Sequence, residues 1–250
     1  MINLENKTVI VTGGGSGVGQ SIVKVFAKAH ANVAFTYCSS TSKAEKLVEE
    51  LNEHNVKGYR LDQKDIKTIK PVLKTIKKDF GRIDILINNA GIYPNKPILD
   101  LKEKEWDEMF ETNTKAIFFL SLEAYKLMED NSKIVNISSI NATNPNPNLA
   151  HYGASKAAVE MITRSLAQDF GPKTRVNCIA PGLIYREGIE KAIPTWVDSY
   201  TLRSPLNSLV MPEEIGNTAL FLASDLSSGI TGQIITVDKG ISLAAWFDNN

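Results

Sequence analysis

Cysteine and histidine are scarce in this sequence, and their scarcity argues against several kinds of site. The chain has two cysteines, Cys38 and Cys178, and three histidines among 250 residues. The cysteines lie far apart without the spacing of a zinc or redox motif, so we predict ordinary reduced thiols and a cytoplasmic protein. The histidines do not cluster, so no metal site is expected.

An excess of charge of either sign is also lacking. The sequence has 28 Lys and Arg against 28 Asp and Glu, so no net positive field favours a nucleic acid or an anionic membrane as partner. No apolar run approaches a membrane span, and residues 1–5 carry no basic leader segment, so we expect neither insertion nor export. A small-molecule partner is the remaining expectation.

Internal repeats, low-complexity tracts and Gly/Ser-rich linkers are absent as well. A chain of this length can form one α/β domain, and we predict a single domain over residues 1–250. Two segments have few signals for helix or strand. One is the Asn- and Pro-rich segment 141–148, and the other, 184–211, includes a predicted substrate lid at 185–211.

What the sequence does contain is an alternation of short β-branched runs with longer segments of helical periodicity. Seven runs are predicted as strands: residues 7–12, 32–37, 56–61, 83–87, 133–138, 175–180 and 234–237. The main predicted helices are residues 20–31, 40–54, 64–80, 104–128 and 152–170. Several strands are mostly apolar, as expected for burial on both faces. The alternation predicts an α/β fold with a doubly wound parallel sheet and helices on both faces.

A glycine-rich turn follows the first predicted strand. Residues 12–19 read Thr-Gly-Gly-Gly-Ser-Gly-Val-Gly and lead into the helix predicted at 20–31. Glycine permits close backbone approach, and a helix N-terminus offers free N–H groups to a pyrophosphate. The turn therefore predicts dinucleotide binding, although Gly13, Gly17 and Gly19 give G-x-x-x-G-x-G in place of the usual G-x-G-x-x-G. A tight connection without a ligand is the alternative.

Together with Asn88-Asn89-Ala90-Gly91, this turn resembles the short-chain dehydrogenase/reductase family. The resemblance covers essentially the whole chain and implies a Rossmann-type sheet of seven parallel strands in the order 3-2-1-4-5-6-7. It also implies hydride transfer between a nicotinamide cofactor and a carbonyl or alcohol. By overall length and motif order, the chain is similar to the 3-oxoacyl-carrier-protein reductases of that family.

Tyr152 and Lys156 lie four residues apart at the start of a predicted helix, so their side chains share a face. A neighbouring ammonium is expected to stabilise the phenolate and to lower the pKa of Tyr152 toward neutrality. A Tyr and a Lys at this spacing also occur on ordinary exposed helices. Ser139 stands thirteen residues before Tyr152 and resembles the serine of the family's Ser-to-Tyr interval, whereas Ser138 is the other nearby hydroxyl.

The resemblance assigns a role to each of these residues. Ser139 hydrogen-bonds the substrate oxygen, Tyr152 transfers the proton, and Lys156 also holds the nicotinamide ribose. Asn113 matches the fourth member of the set and implies a water-linked proton relay, although an isolated asparagine more often caps a helix or bonds to the backbone. The predicted catalytic residues are therefore Asn113, Ser139, Tyr152 and Lys156.

The resemblance also implies which residues contact the cofactor. Among them, Asp62 is expected at the adenine, and the segment after the sixth strand is expected at the nicotinamide. They are Thr12, Gly13, Gly15, Ser16, Gly17, Val18, Gly19, Cys38, Ser39, Asp62, Asn89, Ala90, Gly91, Tyr152, Lys156, Pro181, Gly182 and Ile184. An acidic residue after the second strand would favour NAD. Residues 37–43 contain none, which favours NADP as the cofactor and leaves NAD as the alternative.

The lid contains aromatic and cationic residues that suit a pocket with an anionic corner: Arg186, Trp196, Tyr200 and Arg203. Arg186 stands where the family usually has Thr. Alternatively, these four lid residues only pack the lid or face solvent. His151, next to Tyr152, either contacts the substrate or is a loop histidine without a functional role. The resemblance implies a homo-oligomer, either a tetramer or a dimer, whose subunits meet through the helices predicted at residues 104–128 and 152–170. The tail, residues 244–247, either packs across that interface or packs against its own subunit.

Several functions fit these observations. The leading prediction is an NAD(P)-dependent oxidoreductase acting on a carbonyl or secondary alcohol, such as a 3-oxoacyl thioester, a sugar or a steroid. A dinucleotide-binding regulatory protein without turnover is the second reading. An epimerase or dehydratase of the same superfamily is the third, and such proteins generally carry a larger C-terminal substrate domain.

Overall fold

The computed structural model describes residues 2–243 of the chain. Within that range, seven strands form one sheet. Their bounds are β1 Thr8–Val11, β2 Asn32–Tyr37, β3 Val56–Arg60, β4 Ile85–Asn88, β5 Ser132–Ile137, β6 Thr174–Pro181 and β7 Ile234–Val237. Each strand overlaps a run predicted from the sequence.

The described residues also form nine α-helices. They are α1 Gly17–Lys28, α2 Thr41–Glu50, α3 Ile66–Phe80, α4 Glu103–Phe110, α5 Ala116–Tyr125, α6 Ala150–Phe170, α7 Ile189–Ala192, α8 Pro194–Arg203 and α9 Pro212–Ala223. A π-helical turn, Glu111–Lys115, joins α4 to α5. Short 3-10 turns occur at Ile98–Asp100, Ile140–Ala142, Asp225–Ser227 and Ile241–Leu243.

The strands run parallel in the order β3-β2-β1-β4-β5-β6-β7. This order confirms the predicted Rossmann-type sheet. The direction of the strand order reverses at β1, which pairs with β2 on one side and with β4 on the other. The carboxyl ends of β1 and β4 therefore border a crevice, which is the usual ligand site of such a sheet.

Helices cover both faces of the sheet, because successive strand residues point to opposite sides. In β1, Val9 and Val11 pack into a core shared with residues of α1, α2 and α9. Ile10, between them, packs into a second core shared with residues of α3, α5 and α6. All three side chains are fully buried. The apolar runs are thus strands covered on both faces, as predicted.

The helix predicted at residues 104–128 is interrupted in the structure. α4 ends at Phe110, the π-helical turn follows, and α5 begins at Ala116. A π turn departs from the regular i to i−4 hydrogen bonding and is frequently found at functional sites. Here the turn contains Asn113, whose side chain is fully buried.

The lid segment, residues 185–211, is more regular than the sequence indicates. It contains α7 and α8, and a parallel bridge between Ile184 and Val210 joins its two ends. Ile189, Val197 and Leu209 form a small core there, separate from the cores of the sheet. Because the helices are short and their buried residues few, the segment has no extended hydrophobic period.

Some features are missing from the described part of the chain. No helix within residues 2–243 is long and apolar enough to cross a membrane. In the same range, His, Cys, Asp and Glu form no group of three that could hold a metal ion. Cys38 is exposed, Cys178 is buried, and both thiols are free. The tail residues 244–247, for which the sequence left two roles open, lie outside the described residues.

A buried carboxylate joins the amino ends of β1 and β4. Asp84 is 4% exposed. It accepts hydrogen bonds from the Arg82 guanidinium and, at 3.0 Å, from the backbone N–H of Thr8, and Lys7 Nζ lies 3.4 Å away. Burial acts to raise the pKa of Asp84, but these donors and charges outweigh it and hold the pKa below its ordinary value. The fold therefore stabilises the ionised carboxylate.

We predict that Asp84→Asn lowers the free energy of unfolding by about 1–3 kcal/mol at pH 7, because buried donors lose a charged acceptor. A carboxyl with a lowered folded pKa stabilises the fold above its unfolded pKa, and this contribution is lost as pH falls through the folded pKa. The difference between the variant and the unaltered protein should therefore shrink below about pH 4. Urea unfolding over this pH range measures it.

Glu50→Gln provides a matched control. Its carboxylate also pairs with a lysine, Lys24, at 2.6 Å, but the side chains of Glu50 and Lys24 are 52% and 33% exposed. An exposed pair of this kind contributes less than about 1 kcal/mol. Equal losses in Asp84→Asn and Glu50→Gln would contradict the importance assigned to the buried carboxylate.

Candidate active site

The turn between β1 and α1 leaves backbone N–H groups uncovered. α1 begins at Gly17, its N-cap residue Ser16 makes no side-chain capping bond, and its first turn contains no acidic residue. A Cβ on Gly19 would collide with the carbonyl oxygen of Gly13, so a glycine is required for this close passage. Free donors and the positive end of a helix dipole fit a pyrophosphate.

Thr12 ties this turn to the residues that follow β4. Its Oγ1 accepts hydrogen bonds from the backbone N–H groups of Asn89 and Ala90, both at 3.0 Å. In return, Asn89 Nδ2 donates to the carbonyl of Thr12 at 2.9 Å. The side chains of Thr12 and Asn89 are therefore occupied in holding the two walls of the crevice together.

Asn88 turns into the protein interior. Its Nδ2 donates to Ser121 Oγ at 2.9 Å and to Asn136 Oδ1 at 2.8 Å, and Asn136 Nδ2 donates to Thr163 Oγ1 at 2.9 Å. All four side chains are buried. This polar chain links β4, β5, α5 and α6, which are the elements that surround the catalytic candidates.

The Asn113 side chain forms hydrogen bonds with both the N–H and the carbonyl group of Ile92. Asn113 Oδ1 accepts from the Ile92 N–H at 2.8 Å, and Nδ2 donates to the Ile92 carbonyl at 2.8 Å and to Ser155 Oγ at 3.2 Å. A Cβ placed on Gly91 would lie 3.0 Å from Asn113 Oδ1 and 3.5 Å from Lys156 Nζ. Asn113 and Lys156 therefore border the same small space beside Gly91.

Tyr152 and Lys156 lie near the start of α6 and face the end of β5. Lys156 Nζ lies 5.8 Å from the centre of the Tyr152 ring and donates to the Ile137 carbonyl at 2.8 Å. Ser139, just after β5, lies beside the Tyr152 side chain. The structure therefore brings Ser139, Tyr152, Lys156 and Asn113 together at the carboxyl end of the sheet.

Of the two neighbouring serines, Ser139 faces the site. The Ser138 hydroxyl is buried and donates to the Lys156 carbonyl and to Glu160 Oε1, both at 3.2 Å. Ser139 Oγ accepts from the backbone N–H of Asn141 at 3.2 Å and lies beside the Tyr152 side chain. Ser138 thus holds α6 against β5, and Ser139 is the hydroxyl available to a substrate.

Burial shifts the pKa values of the tyrosine and the lysine in opposite directions. It lowers the pKa of Lys156 to about 8. Burial also raises the pKa of Tyr152, against the smaller effect of its hydrogen bond with Ser139. The lowered Tyr152 pKa predicted from the sequence is therefore wrong for this structure. Loss of hydration dominates, and the Lys156 ammonium is directed to the Ile137 carbonyl.

The predicted adenosine end of the site lies where β2 and β3 end. Cys38 and Ser39 are exposed after β2, and Asp62 is exposed after β3. Lys64 pairs with Glu108 at 3.1 Å, and this bond is the main reason that its pKa is raised. The charge of Asp62 contributes further. An ion pair therefore lies close to this end of the site.

Tyr200 packs against the segment that follows β6. A Cβ on Gly182 would collide with the Tyr200 hydroxyl, which donates to the Asp238 carbonyl at 2.7 Å. Pro181 pairs with Val237 at the edge of this segment. Tyr200 is therefore a packed residue of the lid core and not a free side chain of the pocket.

Other residues singled out in the sequence are less central. Arg186, Trp196 and Arg203 are exposed on the lid. His151 is 1% exposed, and neither of its ring nitrogens has a hydrogen-bond partner among the described residues. Burial lowers the pKa of His151, and the charge of Glu105 on α4 acts in the opposite direction. His151 thus faces the protein interior near α4.

Sequence reasoning missed two residues beside the site. Gln63 is buried, and its Nε2 donates to the carbonyls of Ala90 at 3.3 Å and Thr112 at 2.9 Å. Tyr93 lies with its ring centre 6.4 Å from that of Tyr152. Neither residue has a spacing or a period that signals a site. The only available pointer is that Tyr93 comes two residues after the Asn88–Gly91 sequence.

The chain is similar to known reductases over nearly its full length. A family model described as "Enoyl-(Acyl carrier protein) reductase" matches residues 13–242. The 3-oxoacyl-[acyl-carrier-protein] reductase FabG of Thermotoga maritima is 36% identical over 245 residues, which cover 96% of this chain and 99% of the relative. The protein of the same name from Staphylococcus epidermidis is 34% identical over 241 residues, covering 94% and 99%.

Solved structures indicate the same family. The crystal structure of a short-chain dehydrogenase/reductase from Brucella melitensis, titled SDR:Glucose/ribitol dehydrogenase, matches with a TM-score of 0.91 and 30% sequence identity. The match covers 96% of this chain and 98% of that chain. The fold, the sequence matches and the grouping of the site residues agree, and the chain belongs to the short-chain dehydrogenase/reductase family.

Proposed function

We propose that this oxidoreductase reduces the keto group of a 3-oxoacyl thioester, with NADPH as the preferred cofactor and Tyr152 as the proton donor. The observation that carries the proposal is the meeting of Tyr152, Ser139 and Lys156 at the carboxyl end of the sheet, next to the glycine-rich turn. Family membership implies a cofactor that is NAD or NADP. The choice of NADP and of the thioester is the proposal.

The crevice at β1 and β4 fits a nicotinamide dinucleotide. The turn at residues 13–19 would hold the pyrophosphate, with the adenosine at the ends of β2 and β3 and the nicotinamide ribose at Lys156. Ala90 and Gly91 would form the wall between them. The bound cofactor supplies the hydride, and the residues of the chain supply position, polarisation and a proton.

Two features support NADP over NAD. Residues 37–43 offer hydroxyls but no carboxylate that would bind a ribose 2′-hydroxyl or repel a 2′-phosphate. Lys43, in the same segment, is exposed and adds an ammonium. A phosphate at this end would therefore find both a cation and neutral donors.

Tyr152 donates the proton as the carbonyl is reduced. Because burial raises its pKa, the phenol stays protonated at neutral pH, which is the form that can donate. Ser139, which lies beside Tyr152, holds the carbonyl oxygen next to the phenol. The proton then passes along that contact as negative charge develops on the oxygen. A phenol that keeps its proton suits reduction better than oxidation.

Lys156 and Asn113 support the phenol after it has lost its proton. The Lys156 ammonium places positive charge beside the ring and stabilises the phenolate that forms. With a pKa of about 8, Lys156 can itself release a proton near neutral pH. Asn113 Oδ1 borders the same space beside Gly91, and we assign to it the water that returns a proton to Lys156.

The 3-oxoacyl thioester is supported by the relatives and by the lid. The relatives named 3-oxoacyl-[acyl-carrier-protein] reductases match over nearly their whole length. The lid has a core of its own and packs against Gly182, next to the predicted nicotinamide end, so it can cover the substrate. Arg186 is exposed on the lid and offers a guanidinium to an anionic part of a carrier-bound substrate.

We further propose that the protein is a cytoplasmic homo-oligomer, a tetramer or a dimer. Trp106 on α4, Phe118 on α5 and Met161 on α6 are exposed apolar side chains, and α4 and α5 both contact α6. Apolar groups in such positions are typical of subunit interfaces.

A substrate panel tests the proposed function. Purified protein is offered 3-oxoacyl thioesters, ketones, sugars, steroids and enoyl thioesters with NADPH or NADH, and cofactor oxidation is followed by absorbance. The proposal expects the highest kcat/KM with 3-oxoacyl thioesters and NADPH. Faster reduction of enoyl thioesters would contradict it and favour the reaction in the family model's description. Cofactor binding without turnover on the whole panel would favour a regulatory protein.

We expect Tyr152→Phe to reduce kcat by about 10²–10⁴-fold, because the general acid is lost while the ring remains. The affinity for NADPH should stay nearly unchanged. Stopped-flow turnover and fluorescence titration of NADPH measure the two quantities. Tyr125→Phe is the matched control, since the Tyr125 ring stacks on Phe170 outside the site. Near-normal kcat in Tyr152→Phe would refute the assigned role.

Lys156→Ala should impair both binding and chemistry, with kcat lower by about 10²-fold and NADPH affinity lower by about tenfold. The unaltered protein should lose NADPH affinity as pH rises through about 8, because the ammonium deprotonates there. In the variant this pH dependence should disappear. Lys173→Ala serves as control, because Lys173 Nζ lies 4.9 Å from the Tyr125 ring, away from the site. A persistent pH dependence in Lys156→Ala would exclude Lys156 as its source.

Cys38→Asp should lower the ratio of kcat/KM for NADPH to that for NADH by about 10–100-fold, because a carboxylate at this position repels a 2′-phosphate. Cys38→Arg should raise the same ratio. Cys38→Ser, which changes neither size nor charge greatly, should leave it close to that of the unaltered protein. Initial-rate kinetics with both cofactors measure the ratio, and equal ratios in the Asp and Arg variants would contradict the placement of the ribose at Cys38.

A further inference from the structure

We infer that Tyr93 is a specificity-determining residue whose ring forms a fixed aromatic wall of the substrate site. It favours carbonyl compounds that carry a flat apolar group on the reacting carbon. This inference rests on the proposed function, because it takes Tyr152 as the residue that meets the carbonyl oxygen.

The first support is the contact between the two tyrosine rings. Their centres lie 6.4 Å apart with an angle of 65° between the planes, an edge arrangement. Tyr93 is 64% exposed, so most of its ring surface remains open. A substrate bound to the Tyr152 hydroxyl therefore lies within reach of the Tyr93 ring.

The second support is that hydrogen bonds fix the backbone both before and after Tyr93. Ile92, just before it, makes two hydrogen bonds with the Asn113 side chain, each of 2.8 Å. Lys96, three residues after it, donates its backbone N–H to the Asn148 carbonyl at 2.9 Å. Pro94 and Pro97 restrict the backbone between and beyond these anchors. Because the backbone is already in place, only the side-chain rotation of Tyr93 is restricted when a ligand packs on the ring, which keeps the loss of conformational entropy small.

The chemistry of this wall favours apolar groups over polar ones. A phenyl ring or an alkyl chain gains offset or edge contact with the open surface of Tyr93. A polyol would instead place hydroxyls against a ring that satisfies few of them, at a cost in hydrogen bonds to water. The nearby Lys96 ammonium is paired with Glu105 at 3.0 Å. The wall therefore selects by shape and apolar surface.

The test compares two thioesters that differ only in the group on the keto carbon. They are the 3-oxobutanoyl and 3-oxo-3-phenylpropanoyl thioesters of N-acetylcysteamine, with methyl and phenyl respectively. For Tyr93→Ala we expect kcat/KM to fall about tenfold for the phenyl compound and to change little for the methyl compound. Tyr93→Phe retains the ring and should keep the selectivity of the unaltered protein. The Kd of NADPH should be unchanged in both variants.

Phe221→Ala is the control for the loss of an exposed ring, since Phe221 lies on α9, which contributes no residue to the site. It should leave the phenyl-to-methyl ratio unchanged. Circular dichroism and the NADPH titration verify that each variant is folded.

Each outcome bears on one of the two claims. A ratio in Tyr93→Ala equal to that of the unaltered protein overturns the inference and leaves the proposed function intact. An equal loss in Tyr93→Phe and Tyr93→Ala also overturns it, because the hydroxyl and not the ring would then be responsible. If the unaltered protein reduces no carbonyl compound while it binds NADPH, the proposed function fails and the inference fails with it.

Discussion

The carboxamide of Asn113 binds the N–H and the carbonyl of Ile92, and the geometry of the site depends on this pair of bonds. They fix the chain directly after Gly91, where a single added carbon would crowd both Asn113 and Lys156. The π-helical turn is what brings the Asn113 side chain to this position between α4 and α5. A buried amide with unpaired donors would cost about 1–3 kcal/mol, so the irregular helix and the loop stabilise each other.

A second set of polar bonds connects the elements behind the site. Asn88 and Asn136 occupy positions in adjacent buried strands, and their amides join each other and reach Ser121 and Thr163 on the covering helices. Apolar residues alone would allow α5 and α6 to slide over the sheet by small amounts. Directional bonds between buried amides and hydroxyls fix the register of strand and helix. The position of Tyr152 relative to Ser139 depends on that register.

Local and steric features of the site were predictable from the sequence, whereas features that depend on distant contacts were not. Strands such as β1 are apolar because both faces are buried, and this leaves a visible run. The turn at Gly19 needs glycine for a contact with Gly13 only a few residues away. By contrast, the π turn at Asn113 is stabilised by Ile92, 21 residues earlier, and no local pattern signals it. The short helices of the lid likewise depend on the small core around Val197.

The electrostatics of the Tyr152–Lys156 pair were the least predictable part, because they depend on burial. Spacing alone places an ammonium near a phenol and suggests a lowered phenol pKa. The folded chain removes water from both groups, and this disfavours the charged form of each. The phenol therefore holds its proton more firmly and the ammonium holds its proton less firmly. The same surroundings strengthen the attraction between a phenolate and the ammonium once the proton has left, since charges interact more strongly where water is excluded. Burial thus keeps Tyr152 protonated before the reaction and stabilises the pair of Tyr152 phenolate and Lys156 ammonium that the reaction creates.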